Sequence, residues 1–342
     1  MTVEASAFVL SGSNSRGISV AEARAIESAG NSLTLTVSDT RIIQADSDSD
    51  DSSICPIDIV GIDRAEISIE NTFISLKKNH YAVRFDNIGN EETVSTIVIT
   101  DSEFSAWAAV YFRACSQNID VEIRDSILKG TNYNSGDTND FSTIAVNSTR
   151  NVNIDVIDSE IGFAQYGNAN QKAASIYYWD NPFIEDGGNS INFYQCTFSM
   201  DGSGMLASAE NYTGYAEDNG NGAKTEFDPL PEENVITLDQ ASLNSITARG
   251  YIEISEEDLG YPMLEFPDGD EDGKTYYGTA TCYNFAIENG ADLGFARGAG
   301  TQEHPYIIEN EAQFARINDL SDEMLNSTEN YFYFSIENDL NF

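Results

Sequence analysis

The sequence predicts an all-β protein: a right-handed parallel β-helix with three short strands per coil, followed by a small C-terminal α+β cap or partial module. Three observations predict it. First, a six-residue phrase recurs at 37–42, 69–74, 99–104, 123–128, 156–161 and 193–198, reading hydrophobic, any, Asp/Asn/Gln, Ser/Thr/Cys, any, hydrophobic. Its third residues, Asp39, Asn71, Asp101, Asp125, Asp158 and Gln195, follow one another at steps of 32, 30, 24, 33 and 37 residues. Self-similarity at a period of roughly 20–50 residues points to a solenoid or a propeller. Second, the runs around each copy alternate apolar and polar residues, which is the pattern of a strand with one buried face. Third, the steps are uneven. A propeller needs four strands per repeat and regular spacing, whereas the loops of a β-helix vary freely.

Residues 1–18 are rich in Ser and Gly and form a first partial coil. Ser19-Val-Ala-Glu22 has the form of a capping box, with Gly30 placed as a C-cap, so a short helix there competes with a strand at Ala25–Ser28. The repeat favours the strand. Each phrase closes a first strand: Leu33–Val37, Ile67–Ile69, Ile97–Ile99, Ile119–Ile123, Val152–Val156 and Ile191–Phe193. The Asp-Ser or Asn-Thr pair then turns the chain, because these side chains bond to nearby backbone and tolerate tight bends. A short second strand follows at Ile42-Ile43, Phe73-Ile74, Phe104, Ile127-Leu128, Ile161 and Phe198. A third run precedes the next phrase: Asp58–Gly61, Ala82–Phe85, Ala109–Phe112, Ile144–Asn147 and Ser175–Tyr178. Stacking these in register predicts one interior column of Ile69, Ile99, Ile123, Val156 and Phe193, with like residues roughly 4.8 Å apart.

Between strands, Asp46–Asp51 is an acidic loop, and 129–141 and 162–174 are longer polar loops on one side of the solenoid. Residues 201–234 interrupt the repeat and are expected to be a loop; a weak seventh copy of the phrase sits at Leu238–Leu243. The expected organisation is a parallel β-helix over 1–250, an irregular β end with an acidic loop over 251–297, and a distinct segment over 298–342.

The recurring strand, Asn/Asp, Ser/Thr, x, Phe pattern over about 20–200 resembles the pectin-lyase-like β-helices, and more closely the β-helical surface proteins of bacteria and archaea. The tail adds to the likeness. Gly298-Ala-Gly-Thr-Gln-Glu-His-Pro-Tyr-Ile-Ile, a helical Phe314–Leu320, then Tyr331–Ile336 and Asn338-Asp339-Leu340 resemble the leader that opens a fresh set of β-helical repeats in such proteins. The resemblance implies that 298–342 is the start of a further module or, packed back, a cap on the first β-helix. Contacts between Phe314, Ile317 or Leu320 and residues 235–297 would mark the cap.

Charge narrows the function. With 57 acidic and 17 basic residues the net charge is −40, which disfavours nucleic acid and anionic membranes as partners, since both are negative. It suits an extracellular, salty setting. Met1-Thr-Val-Glu-Ala has neither the basic start nor the apolar core of a signal peptide, and no run has the ~18 apolar residues of a transmembrane helix. Cys55, Cys115, Cys196 and Cys282 lack metal-ligand spacing and are expected as buried free thiols. The sequons at Asn147, Asn211 and Asn326 matter only in a eukaryotic secretory setting.

Three chemistries compete. A polysaccharide lyase or hydrolase of the pectin-lyase-like fold would use Asp101, Asp125 and Asp158 as carboxylates about 5–10 Å apart, with Arg84 as the candidate lyase base. Yet a residue repeated in every coil has a structural explanation, and no catalytic residue is assigned. His80 and His304 are the only histidines and show no triad context. A sugar-binding platform would use outward third-strand positions, here Arg84, Tyr111, Val146 and Tyr177, flanked by Trp107 and Trp179. Aromatic faces beside polar groups suit sugar rings, although aromatics are also simply favoured in strands. The binding set is therefore Trp107, Tyr111, Tyr177, Trp179 and Arg84. Asp268, Asp270 and Asp272, with Gly273, match the first half of a calcium loop, but position 12 is Thr279 and Pro262 and Pro267 leave no incoming helix, so a plain acidic turn is the preferred reading and a weak calcium site the other. The resulting expectation is a non-enzymatic, monomeric, extracellular surface or adhesin-type protein. Its expected partner is a polysaccharide or host surface protein; no cofactor is expected, with calcium the one candidate ion, and a plain spacer is the third reading.

Overall fold

The computed structural model describes residues 1–11, 15–21, 30–45, 54–76, 81–114, 116–131, 142–164, 172–177, 187–201, 203–217, 224–225, 233–247, 250–264, 274–287, 290–291, 293–298, 300, 305–320 and 332–340. The chain is a parallel β-helix. The first coil supplies β1 (Thr2–Glu4), β2 (Ala7–Leu10) and β3 (Arg16–Ala21). The second supplies β4 (Ser32–Ser38), β5 (Arg41–Gln44) and β6 (Cys55–Val60), and the third β7 (Arg64–Glu70), β8 (Phe73–Ser75) and β9 (Tyr81–Asp86). Next come β10 (Ser95–Thr100), β11 (Glu103–Ala106) and β12 (Ala108–Arg113), then β13 (Gln117–Arg124), β14 (Ile127–Gly130) and β15 (Ser142–Asn147). The sixth coil is β16 (Arg150–Ile157), β17 (Glu160–Ala164) and β18 (Lys172–Tyr177); the seventh is β19 (Ser190–Tyr194), β20 (Thr197–Asp201) and β21 (Ser203–Glu217). A short β22 (Lys224–Thr225) pairs with β21, and β23 (Val235–Leu238) pairs with β19.

Every third strand joins the same sheet. The first sheet runs β1-β4-β7-β10-β13-β16-β19-β23 and the second β2-β5-β8-β11-β14-β17-β20. The third contains β3, β6, β9, β12, β15, β18 and β21 in parallel. It is extended past β21 by two long antiparallel strands, β25 (Lys274–Ile287) and, at its edge, β24 (Gly250–Leu264).

The interior is built of stacked columns. Val37, Ile69, Ile99, Ile123, Val156 and Phe193 are paired coil to coil and are all buried, so the expected column forms. Ile42, Ile74, Phe104, Leu128, Ile161 and Phe198 fill the second sheet's inner face in the same way. On the third sheet, Ile59, Phe85, Phe112, Val146, Ile176 and Ala209 stack, with the Phe85 and Phe112 rings 4.9 Å apart. Where this column shrinks to Ala209, Phe193 and Phe198 meet edge-on at 5.1 Å and fill the space. Large and small residues thus offset one another, as the close packing of a protein interior requires.

The phrase makes the corner between the first and second sheets. Asp39, Asn71, Asp101, Asp125, Asp158 and Gln195 all adopt positive φ, between 45° and 56°. This left-handed conformation disfavours most L-residues, and Asn and Asp tolerate it best. Each of these amides except that of Gln195 donates to a carbonyl of the next coil, as Asp101 N does to Arg124 O at 3.2 Å and Asp125 N to Ile157 O at 3.2 Å. The next residue then builds a buried hydroxyl ladder. Ser102, Ser126 and Ser159 each donate Oγ–H to the carbonyl two residues back, at 2.7, 2.8 and 2.7 Å. The same oxygens accept from the coil before: Thr72 N to Ser102 Oγ at 3.1 Å, Ser102 N to Ser126 Oγ at 3.2 Å, and Ser126 N to Ser159 Oγ at 3.1 Å.

Several expectations change. A further copy exists at Val3–Phe8, 34 residues before Asp39 when counted from Ala5, and Ala5 takes φ 47°. Its lack of an Asp or Asn hid it. The third strand of the first coil is Arg16–Ala21; Ser19 lies within it, so it does not cap a helix, and the run Ala25–Ser28 falls in 22–29, outside the described residues. Residues 203–217 are a strand rather than a loop, because Ala207 and Ala209 supply small buried inward positions that a Gly- and Ser-rich composition disguises. The copy at Leu238–Leu243 does not turn into a strand. Asp239 caps helix α1 (Gln240–Thr247), accepting from Ser242 N at 2.8 Å, while Ser242 Oγ fills the next ladder position by accepting from Cys196 N at 3.0 Å. Burial works against the Asp239 charge, yet its amide and hydroxyl donors outweigh that and lower its pKa. With Ile246 buried, α1 packs on β19, β20 and β24 and covers the last coil.

The tail has its own core. Strands β26 (Tyr306–Ile308) and β27 (Phe334–Ile336) pair in parallel, joined through α2 (Glu311–Arg316) and a 3₁₀ turn (Ile317–Asp319). Tyr306 lies opposite Phe334, a step of 28 residues that falls within the range of the β-helix coils. Phe295, Tyr306, Ile308 and Leu320 are buried together, with Leu293, Ile317 and Phe332 against them. Among the described residues, Ile317 and Leu320 meet Leu293 and Phe295 of the 235–297 stretch within this small core, and Gly290 N donates to Gly298 O at 2.8 Å and Ala296 N to Ile307 O at 2.9 Å.

Candidate functional site

The outer face of the third sheet holds most of the expected binding residues. One outward column reads Ser19, Asp58, Arg84, Tyr111, Ala145, Ser175 and Ser208. Val146 is therefore not outward: it lies in the core between Phe112 and Ile176, and Ala145 takes the outward place. Tyr177 belongs to the neighbouring column, after Asp86, Arg113 and Asn147. A one-residue offset in a strand exchanges faces, which is why the sequence pattern misplaced Val146; Tyr177, two residues after the outward Ser175, keeps the outward face and packs against the outer cluster of Ala108, Tyr111 and Ala145.

Aromatic rings gather across the first of these columns. Tyr81 stacks on Tyr111 at 4.4 Å and lies near-parallel to Trp107 at 6.1 Å. Tyr111 is only 3% exposed, and its hydroxyl accepts from Asn147 Nδ2 at 3.1 Å. Ala108, Tyr111 and Ala145 form a small buried cluster outside the main core, with half-buried Tyr81, Trp107 and Tyr177 packed around it. Burial pushes the Tyr81 hydroxyl's pKa upward, with Tyr111 adding to the shift. Tyr81 was not legible as a site residue: it stands two positions before the inward Val83, so strict alternation assigns it to the core face, yet it pairs in register with Ala108 and stacks on Tyr111. Trp179 lies outside the described residues.

Arg84 is committed to a neighbour. Its Nε and Nη2 donate to the two oxygens of Asp58 at 2.8 and 3.0 Å, and Arg16 Nε donates to the same carboxylate at 2.7 Å. Burial opposes the Arg84 charge, but the hydrogen bond and charge of Asp58 outweigh it and raise its pKa. A guanidinium held protonated this firmly is poorly suited to proton abstraction. Cys55, beside this network, is pushed from 9.0 to about 12, first by burial and then by Asp58.

The turn carboxylates form a separate feature. A groove of about 360 Å³ runs along the corner, lined by Asp125, Ser126, Ile127, Asp158, Ser159, Glu160, Gln195 and Thr197. Asp125 and Asp158 come to it from successive coils at the same left-handed position. Asp268, Asp270 and Asp272, together with His80, His304 and Cys115, lie outside the described residues. Among the described residues no group of three His, Cys, Asp or Glu side chains is arranged to hold a metal ion, and no helix is long and apolar enough to cross a membrane. Cys55, Cys196 and Cys282 are buried free thiols. Asn147 of the first sequon is fully buried.

Compared with known proteins, the chain matches no family model, no curated protein and no solved structure.

Proposed function

We propose that this chain is a non-enzymatic, extracellular β-helical surface protein of bacterial or archaeal type that offers the aromatic patch of its third sheet to a glycan. The observation that carries the reading is the near-parallel Tyr81 and Trp107 pair set on the buried Tyr111 ring. Half-buried rings of this kind offer apolar surface to a sugar face, and the buried ring beneath restricts their motion. Arg84 stands next to Tyr111 in the outward column and is held by Asp58 on its other side rather than serving as a free contact. A net charge of −40 suits a soluble, extended molecule outside the cell and favours neutral glycans or host proteins over polyanions.

A polysaccharide array probed with the intact chain tests this. Binding is expected, and Trp107→Ala combined with Trp179→Ala should weaken it about fivefold to thirtyfold, the scale of losing one or two stacked rings at ~1 kcal/mol each. No binding across the array would leave the spacer reading in its place. The second reading, polysaccharide cleavage, would take its carboxylates from Asp125 and Asp158 in the corner groove. Release of unsaturated uronates or new reducing ends by the wild-type chain, lost in Asp125→Asn, would establish that reading instead.

A further inference from the structure

We draw no further inference here: the strongest candidate, the groove along the outer corner lined by Asp125, Asp158, Glu160 and Gln195, is a cluster of acidic residues whose neighbouring Ser126 and Ser159 hydroxyls are committed to backbone partners, and nothing in the structure points to a ligand within it.

Discussion

Ser126 illustrates how each copy of the phrase works. Its hydroxyl donates to Arg124 O and accepts from Ser102 N, so one oxygen serves two coils. Ser126→Ala removes both bonds and leaves a buried amide without a partner, which should cost about 1–3 kcal/mol. The adjacent Asp125 needs only to tolerate φ 51°, so Asp125→Asn should change stability by less than about 0.5 kcal/mol. Urea midpoints at constant m-value would measure both; an unchanged midpoint for Ser126→Ala would refute the ladder's role. Cys55 sets an alkaline limit. Its thiol titrates at 9.0 when unfolded and about 12 when folded, so its contribution is complete below pH 9.0 and is lost as pH rises toward 12. Cys55→Ala should flatten the decline of the urea midpoint across that window, and an identical slope in the two proteins would contradict it.

At the level of the strand, burial of one column does most of the work. Ile123 on β13 sits between Ile99 on β10 and Val156 on β16 with no exposed surface. Ile123→Asp places a charge where no partner or water can reach it, and should cost more than about 4 kcal/mol, enough to abolish cooperative folding. Circular dichroism and a fluorescence melt would show it; a variant as stable as wild type would contradict the stacked core. The edge strand β24 shows the opposite need. Its sequence includes Glu253, Glu256, Glu257, Asp258 and Pro262, residues that discourage pairing with another chain.

At the scale of the molecule, among the described residues, the buried side chains of the tail cluster apart from the core of the β-helix. The β-helix is closed by α1, and the tail unit is held by Phe295, Tyr306, Ile308 and Leu320 in a core of its own. A chain ending at Ile287 should therefore keep its cooperative melt, with Tm shifted by less than about 3 °C, equivalent to ~1 kcal/mol at this size. Calorimetry of the shortened and full chains decides it, and a large downward shift would mean that the tail buttresses the β-helix.

The repeated phrase was sufficient to place the coils because its requirements are local. A left-handed corner selects Asp or Asn, the following hydroxyl reaches its own backbone two residues back, and period-two alternation turns the apolar residues inward. Long-range packing decided the rest. Ala5 occupies a corner without a corner residue, and its N–H donates to Ser38 O of the next coil as the other corners' amides, that of Gln195 excepted, donate to theirs. Val146 and Ala145 exchanged expected faces because a run of small and β-branched residues suits either one, and only pairing with Phe112 and Ile176 settles which. The phrase at Leu238–Leu243 became a helix cap, with Ser242 still completing the ladder for Cys196. Arg84 is bound by Asp58, 26 residues earlier and one coil away. In a solenoid, sequence sets what a residue does within its coil, while its neighbour in the next coil depends on the intervening loop length, which no local pattern specifies.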